Sequence, residues 1–313
     1  MEYRNLGKAG VKVSAIGIGC NQFGGKVDAA GTKAIVQRAL EEGINFFDTA
    51  NVYGRPSGKS EELLGAALEG QREEVVIATK VRFKMDGEKE PNNQGSSRYH
   101  ILREVEASLR RLRTDRIDLY QIHAWDETVP IEETMHALDD LVRAGKVRYI
   151  GTSQFSAWQL AHCNTFAEMM GWEQFVTIQT HYNMLERDAE RELLPYCAWS
   201  NVGILPYFPL AGGLLTGKYT RGEPPPEGSR GTFSPYVKNR HTDANFDKLD
   251  KLRAFADSRG HTLHELAFSW LLSKKEIPCV IAGATTPEQV TANATTIAWK
   301  LSDEELAEIK DLL

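Results

Sequence analysis

Ile44-Asn45-Phe46-Phe47-Asp48-Thr49-Ala50-Asn51-Val52-Tyr53-Gly54 is a short apolar run that ends abruptly in an acid, a small polar cluster and a tyrosine. Lying directly after Gly43, a run of this length reads as a buried strand, and the residues after it as the loop at its C-terminal mouth. Upstream, Ala30, Ala34, Ile35, Ala39 and Leu40 recur at helical spacing within residues 28–42, and the pattern stops at Gly43, a residue suited to a left-handed cap. Before that helix, residues 14–19 read as another buried strand. Residues 2–14, turning about Gly7-Lys8-Ala9-Gly10, read as a hairpin.

The alternation continues downstream. Strands are predicted at 75–79, 117–122, 147–151, 175–179, 203–208 and 278–282. Helices are predicted at 59–69, 97–113, 131–144, 156–170, 188–200, 246–259, 262–274, 287–298 and 301–313. An irregular section at 209–245, with Pro224-Pro225-Pro226, follows strand 7. Eight strands, each followed by helix, predict an α/β protein: one (β/α)8 TIM barrel domain over residues 1–313 with an N-terminal hairpin. An open doubly wound sheet is the rival, but Gly17-Ile18-Gly19-Cys20-Asn21-Gln22 puts Gln22 where the third glycine of its dinucleotide fingerprint belongs.

The formal net charge of −6 and the absence of any densely basic stretch argue against a nucleic-acid partner. Cys20, Cys163, Cys197 and Cys279 are scattered without metal-ligand spacing, which predicts reduced thiols and no metal. Met1-Glu2-Tyr3-Arg4 opens with charge, and no run matches a membrane span, so a cytoplasmic protein with a small-molecule partner is expected. The oligomeric state is not legible.

In a barrel, polar residues at the C-terminal strand ends are the first candidates for chemistry. Asp48 follows strand 2, Tyr53 lies five residues on, Lys80 closes strand 3 and His123 closes strand 4. Taken singly, Asp48 could be a helix or turn cap, Lys80 a solvated amine and His123 a satisfied core residue. Together they suggest proton transfer. A phenol with a pKa near ~10 is a weak acid at neutral pH, and a neighbouring ammonium lowers that value. Lys80 would do this for Tyr53, Asp48 would keep Lys80 charged, and His123 would orient a carbonyl oxygen. Alternatively Lys80 could be the Schiff-base nucleophile of a barrel aldolase.

Asp48-Thr49-Ala50-x-x-Tyr53-Gly54, Gly58-Lys59-Ser60-Glu61-Glu62-Leu63-Leu64-Gly65, Thr79-Lys80, Asp118-Leu119-Tyr120-Gln121-Ile122-His123, the segment from Gly145 to Ser153, and Pro209-Leu210-Ala211-Gly212-Gly213-Leu214-Leu215-Thr216-Gly217-Lys218-Tyr219 together resemble the aldo-keto reductase family. The branch is that of bacterial sugar-aldehyde, general-stress and potassium-channel β-subunit proteins. The resemblance implies an NADPH-dependent carbonyl reductase with Asp48, Tyr53, Lys80 and His123 as catalytic residues. By the same likeness Ser153, Gln154 and Gln179 would meet the nicotinamide carboxamide and Tyr207 would stack on its ring. The backbone of Pro209, Leu210 and Ala211, with Lys218 and Arg230, would hold the pyrophosphate, and Phe208 and Gly213 would also bind the cofactor. Gly283, Thr285, Gln289 and Asn293 would surround the adenosine, and Gly19, Cys20 and Asn21 would flank the cofactor beside Asp48.

Phe23, Phe83 and Trp125 join Tyr53 and His123 as candidates for the substrate pocket. The loop from Thr220 to Asn245 would be a lid over the cofactor or a passive insertion. Thr285 stands where many family members carry a basic residue suited to a 2′-phosphate. NADPH over NADH therefore follows from family habit, with Arg230 or Lys218 as substitutes for the missing charge. A second function class, a nucleotide-binding regulatory subunit with incidental turnover, follows from the channel-subunit likeness.

Overall fold

In the computed structural model, which describes residues 1–87 and 89–313, β1 (Tyr3–Asn5) and β2 (Lys12–Ser14) pair antiparallel as the expected hairpin. Eight further strands form one parallel sheet: β3 (Ile16–Gly19), β4 (Phe46–Asp48), β5 (Val76–Val81), β6 (Ile117–Ile122), β7 (Val147–Ser153), β8 (Thr177–His181), β9 (Gly203–Tyr207) and β10 (Val280–Gly283). Their order, β10-β3-β4-β5-β6-β7-β8-β9, curls the sheet into a nearly closed barrel. At the seam, the Ile204 N–H donates to the Glu276 carbonyl just before β10, at 2.7 Å.

Helices α1 (Ala29–Glu41), α2 (Lys59–Ala67), α3 (Arg98–Leu112), α4 (Ile131–Arg143), α5 (Ala157–Met170) and α6 (Leu193–Ser200) follow successive strands. The section after β9 holds a 3-10 segment, Ala211–Thr216, and two short helices, α7 (Arg230–Phe233) and α8 (Pro235–Lys238). Then come α9 (Asp243–Asp257), α10 (Leu263–Leu272), β10, α11 (Pro287–Thr295) and α12 (Asp303–Leu312). The helix expected at 188–200 is divided into a 3-10 turn, Asp188–Glu190, and α6. Pro195 lacks the N–H that would continue an upstream helix, but is tolerated in the first turn of α6.

Strand parity separates two cores. Phe47, Ile77, Tyr120, Ile122, Ile204, Val280 and Ala282 point outward and pack under the helices. Phe46, Ala78, Leu119, Leu205 and Ile281 point inward and form a plug with Leu6, Ala9 and Val13 of the hairpin region. Side chains two residues apart share a face. The inward series therefore continues to Asp48, Lys80, Gln121, Tyr207 and Gly283 toward the C-terminal mouth. This is why β5 and β7 run two residues past their predicted ends: Lys80 and Ser153 look like loop residues by polarity but remain in the ladder.

Helix α2 is fixed to this frame by a buried carboxylate. Glu61 accepts from Thr79 Oγ1 at 2.5 Å and from Arg111 Nε at 2.6 Å, joining α2, β5 and α3. Ser60 Oγ donates to the Cys20 carbonyl at 2.8 Å and bonds Thr49 Oγ1 at 2.8 Å. The Ser60-Glu61 portion of the motif thus positions the Tyr53 loop from beneath.

Candidate active site

Asp48 ends β4, Lys80 lies in β5, and Gln121 of β6 stands opposite Lys80 in register. Lys80 is 0% exposed; its ammonium donates to Asp48 Oδ2 at 2.6 Å and to the Thr49 carbonyl at 2.8 Å. The other Asp48 oxygen accepts from Gln121 Nε2 at 3.1 Å and Gln179 Nε2 at 2.9 Å. Gln121 fits because Gly151 lies across the strand pair: a Cβ there would sit 3.2 Å from Gln121 Cγ and 2.5 Å from Thr177 Oγ1.

The loop after β4 brings the Tyr53 ring to 5.0 Å from the Lys80 ammonium, and its carbonyl accepts from the Gly58 and Ser60 amides. The edge-on His123 ring is 5.7 Å from Tyr53, with Phe83 against its other side at 4.9 Å. Burial works to deprotonate Lys80, but attraction to Asp48 and then Tyr53 outweighs it, so Lys80 titrates above its ordinary value and stays charged. Burial also raises the Tyr53 phenol. Lys80 pulls the other way, as its position suggests, without reversing the net shift. Burial, then Lys80 and Arg82, push His123 down to about 2, which makes it a neutral imidazole at working pH. A Schiff-base nucleophile needs a neutral, accessible amine; Lys80 is neither.

Tyr53, His123 and Asp48 form one end of a cavity of about 960 Å³ running along the barrel mouth. Gly19, Asn21, Ser153, Gln154, Gln179, Tyr207, Phe208, Pro209, Leu210, Gly213, Lys218, Arg230, Gly283, Thr285, Gln289 and Asn293 of the expected set also line it. Gln154 adopts a left-handed backbone (φ 55°) and donates Nε2 to the His123 carbonyl at 3.2 Å. Tyr207 stacks flat on His181, with centroids 5.3 Å apart and planes 7° apart. Phe208, also left-handed at φ 53°, carries the Arg230 guanidinium over its ring at 5.1 Å.

Other expected residues stand elsewhere. Cys20 and Phe23 are fully buried, so Phe23 belongs to the core and offers no substrate contact. Cys20 shares the parity of Ile16 and Ile18 and packs outward, under the helices. Phe83 and Trp125 lie outside the cavity lining: Phe83 backs His123, while Trp125 packs edge-on against Phe155 at 5.1 Å and Trp158 at 5.7 Å. Pro209 has no N–H, and the Ala211 and Gly213 amides donate to the Phe208 and Leu210 carbonyls. Much of the backbone expected to hold a pyrophosphate is thus spent within its own turns.

Residues not foreseen include Gln121, Lys26, Gly212, Thr216 and His264, of which all but Gln121 line the cavity. Gln121 had a legible signal, since it shares the inward parity of His123 in the quoted strand.

The lining suits an elongated anionic cofactor. Among the described residues, no carboxylate pairs with Lys218 or Arg230, although burial lowers the Arg230 pKa and so marks it as a partly desolvated cation. Its guanidinium reaches 3.9 Å from where a Cβ on Gly283 would stand, across the cavity from α7. At the opposite end Gln179 donates to Asp48 and Gln154 to the His123 carbonyl.

The sequence profile of the Aldo/keto reductase family matches residues 15–313. The chain belongs to the aldo/keto reductase family. It is 34% identical to versiconal hemiacetal acetate reductase of Aspergillus parasiticus over 99% of this chain and 96% of that one. It is 37% identical to an uncharacterized oxidoreductase of Bacillus subtilis over 100% and 96% of the two chains. It is also 37% identical to a "probable voltage-gated potassium channel subunit beta" of Arabidopsis thaliana over 95% and 91%. Aldo/keto reductases are oxidoreductases of small carbonyl compounds that use nicotinamide cofactors, and membership gives this chain that class. Among the described residues no helix is long and apolar enough to cross a membrane.

Proposed function

We propose that this chain, as one barrel domain, reduces aldehydes or ketones, sugar-derived ones among them, to alcohols with NADPH. The observation that carries this reading is Tyr53 and His123 standing over the buried Asp48–Lys80 pair, at one end of a cavity whose Lys218 and Arg230 have no carboxylate partner among the described residues. A bound nicotinamide would supply hydride to the carbonyl carbon. The Tyr53 hydroxyl donates its proton to the carbonyl oxygen, and the adjacent Lys80 charge offsets part of the cost of the phenolate left behind. Asp48 keeps Lys80 protonated in a site where burial alone would neutralise it. The neutral His123 ring hydrogen-bonds the same oxygen and fixes the carbonyl direction.

Gln154 and Gln179, each with one N–H engaged in protein, offer their carbonyl oxygens to a carboxamide, and Tyr207 offers a ring face. Arg230, reaching toward Gly283, supplies the charge that Thr285 lacks and supports NADPH over NADH. Four free, buried cysteines suit a reducing cytoplasm.

The test is the loss of reduced-nicotinamide absorbance with NADPH, then NADH, across aromatic, aliphatic and sugar aldehydes. Rapid NADPH oxidation with an aldehyde is expected; no turnover with any of them, despite cofactor binding, would count against the reductase. The likeness to the channel subunit motivates a second reading, a nicotinamide-nucleotide-binding regulatory subunit with incidental turnover. Tight NADPH retention, very slow turnover and a stable protein partner would favour it.

A further inference from the structure

In the register of β8 and β9, His181 stands beside Tyr207, and the two rings are stacked, with centroids 5.3 Å apart and planes 7° apart. Tyr207 lines the cavity, and His181 covers one of its faces from outside that lining. Past β9 the barrel is completed by β10 and β3, whose last residues, Gly283 and Gly19, pair in register and also line the cavity. Neither brings a side chain, so that side of Tyr207 has room for a flat ring.

His181 is itself held. Its Nε2 lies 2.8 Å from the Tyr236 hydroxyl of α8, a bond that forms whichever group supplies the hydrogen. The Tyr236 ring stacks on Phe208 at 5.1 Å and carries the Arg240 guanidinium at 3.8 Å, and Arg240 pairs with Glu186 in the loop after β8. Helix α8 is seated closely on the turn after β9: a Cβ on Gly212 would stand 2.5 Å from Val237 Cγ2 and 3.5 Å from the Tyr236 ring. Burial, opposed by Glu186 and assisted by Arg240, lowers the His181 pKa, so a neutral imidazole backs Tyr207. An aromatic ring pinned at its edge keeps its neighbour from tilting, which a freely rotating apolar side chain in the same place would not do.

We infer that His181 is a positioning residue: it sets the plane of Tyr207 against the nicotinamide, and its bond to Tyr236 ties the section after β9 to that ring. This rests on the reading that a nicotinamide dinucleotide fills the cavity with its nicotinamide on Tyr207. The section after β9 then acts on hydride transfer through Tyr207, apart from any contact it makes with phosphate.

The experiment compares wild type, His181→Leu, His181→Phe and Tyr236→Phe by calorimetric titration with NADPH and with 2′-phosphoadenosine diphosphoribose, which lacks the nicotinamide, and by aldehyde reduction at saturating NADPH. His181→Leu, without ring or bond, should bind NADPH about tenfold more weakly and lower kcat by a similar factor, with the aldehyde KM unchanged. His181→Phe keeps a flat ring and Tyr236→Phe keeps the imidazole, so each should lose only about threefold, which separates the stack from the bond. The nicotinamide-free ligand should bind all four proteins alike. Wild-type NADPH affinity and kcat in His181→Leu, equal weakening of that variant toward both ligands, or wild-type values in Tyr236→Phe would overturn the proposal alone. Wild type that binds neither ligand overturns the cofactor reading and the proposal with it.

Discussion

Replacing Asp48 by Asn tests the electrostatic base of the site. The carboxylate lies 2.6 Å from an ammonium that is 0% exposed. At an effective dielectric of ~20, that separation corresponds to about 6 kcal/mol of attraction. Asparagine has one acceptor oxygen, so it can accept from Lys80 or from the flanking glutamines but not from both, and the net loss should resemble that of a broken buried pair, about 3–5 kcal/mol. Burial would then dominate Lys80 and push its pKa below the ordinary lysine value. The pH dependence changes sign accordingly. In wild type the raised Lys80 pKa contributes stability that is fully present below the unfolded value and lost only as pH rises through the folded one. In Asp48→Asn the depressed Lys80 costs stability at low pH, and that cost is relieved as pH rises toward about 10. Denaturant melts at about pH 6 and about pH 9 should therefore show the variant gaining on wild type with rising pH. The catalytic rate constant should fall by about 100-fold or more, the range for a disabled general acid. A variant with unchanged carbonyl reduction, and a stability deficit independent of pH, would refute the argument.

Three further outcomes follow from the same geometry. His123, held down to about 2, binds no proton in the fold where the unfolded chain does, so stability should fall by up to about 1.4 kcal/mol per pH unit below about pH 6. His123→Gln should flatten that slope in acid-denaturation curves. Glu61→Gln takes from Arg111 one of its two buried carboxylate partners, Glu104 being the other, and should cost about 1.5–3 kcal/mol in urea unfolding. Arg230→Met should weaken NADPH by about 10-fold or more while changing NADH less, if Arg230 meets the 2′-phosphate; equal effects in a binding titration would place it elsewhere.

The barrel was legible because its signal is a rhythm. Eight apolar runs at regular spacing survive small errors at each edge, and every predicted strand has its counterpart. The edges were less legible because polarity suggests a loop where barrel strands turn polar on their inner face. Lys80 and Ser153 were read as following their strands and lie within them. The Asp48, Tyr53, Lys80 and His123 cluster was foreseen from strand ends and motif together. Phe23 was not placed correctly, since an aromatic on a rim loop can turn to the core or to the mouth, and sequence carries no sign of which. Gln121 was missed although its inward parity was legible, because its partner Asp48 lies far away in sequence. The Pro209–Ala211 backbone was assigned to phosphate without knowing where its amides point.

The most direct test of the account is Tyr53→Phe, which removes one hydroxyl and keeps the ring that meets His123 and Lys80. The account predicts NADPH binding close to wild type in a fluorescence titration, with carbonyl reduction lowered by about 100-fold or more. Wild-type turnover in that variant would contradict the assignment of Tyr53 as the proton donor.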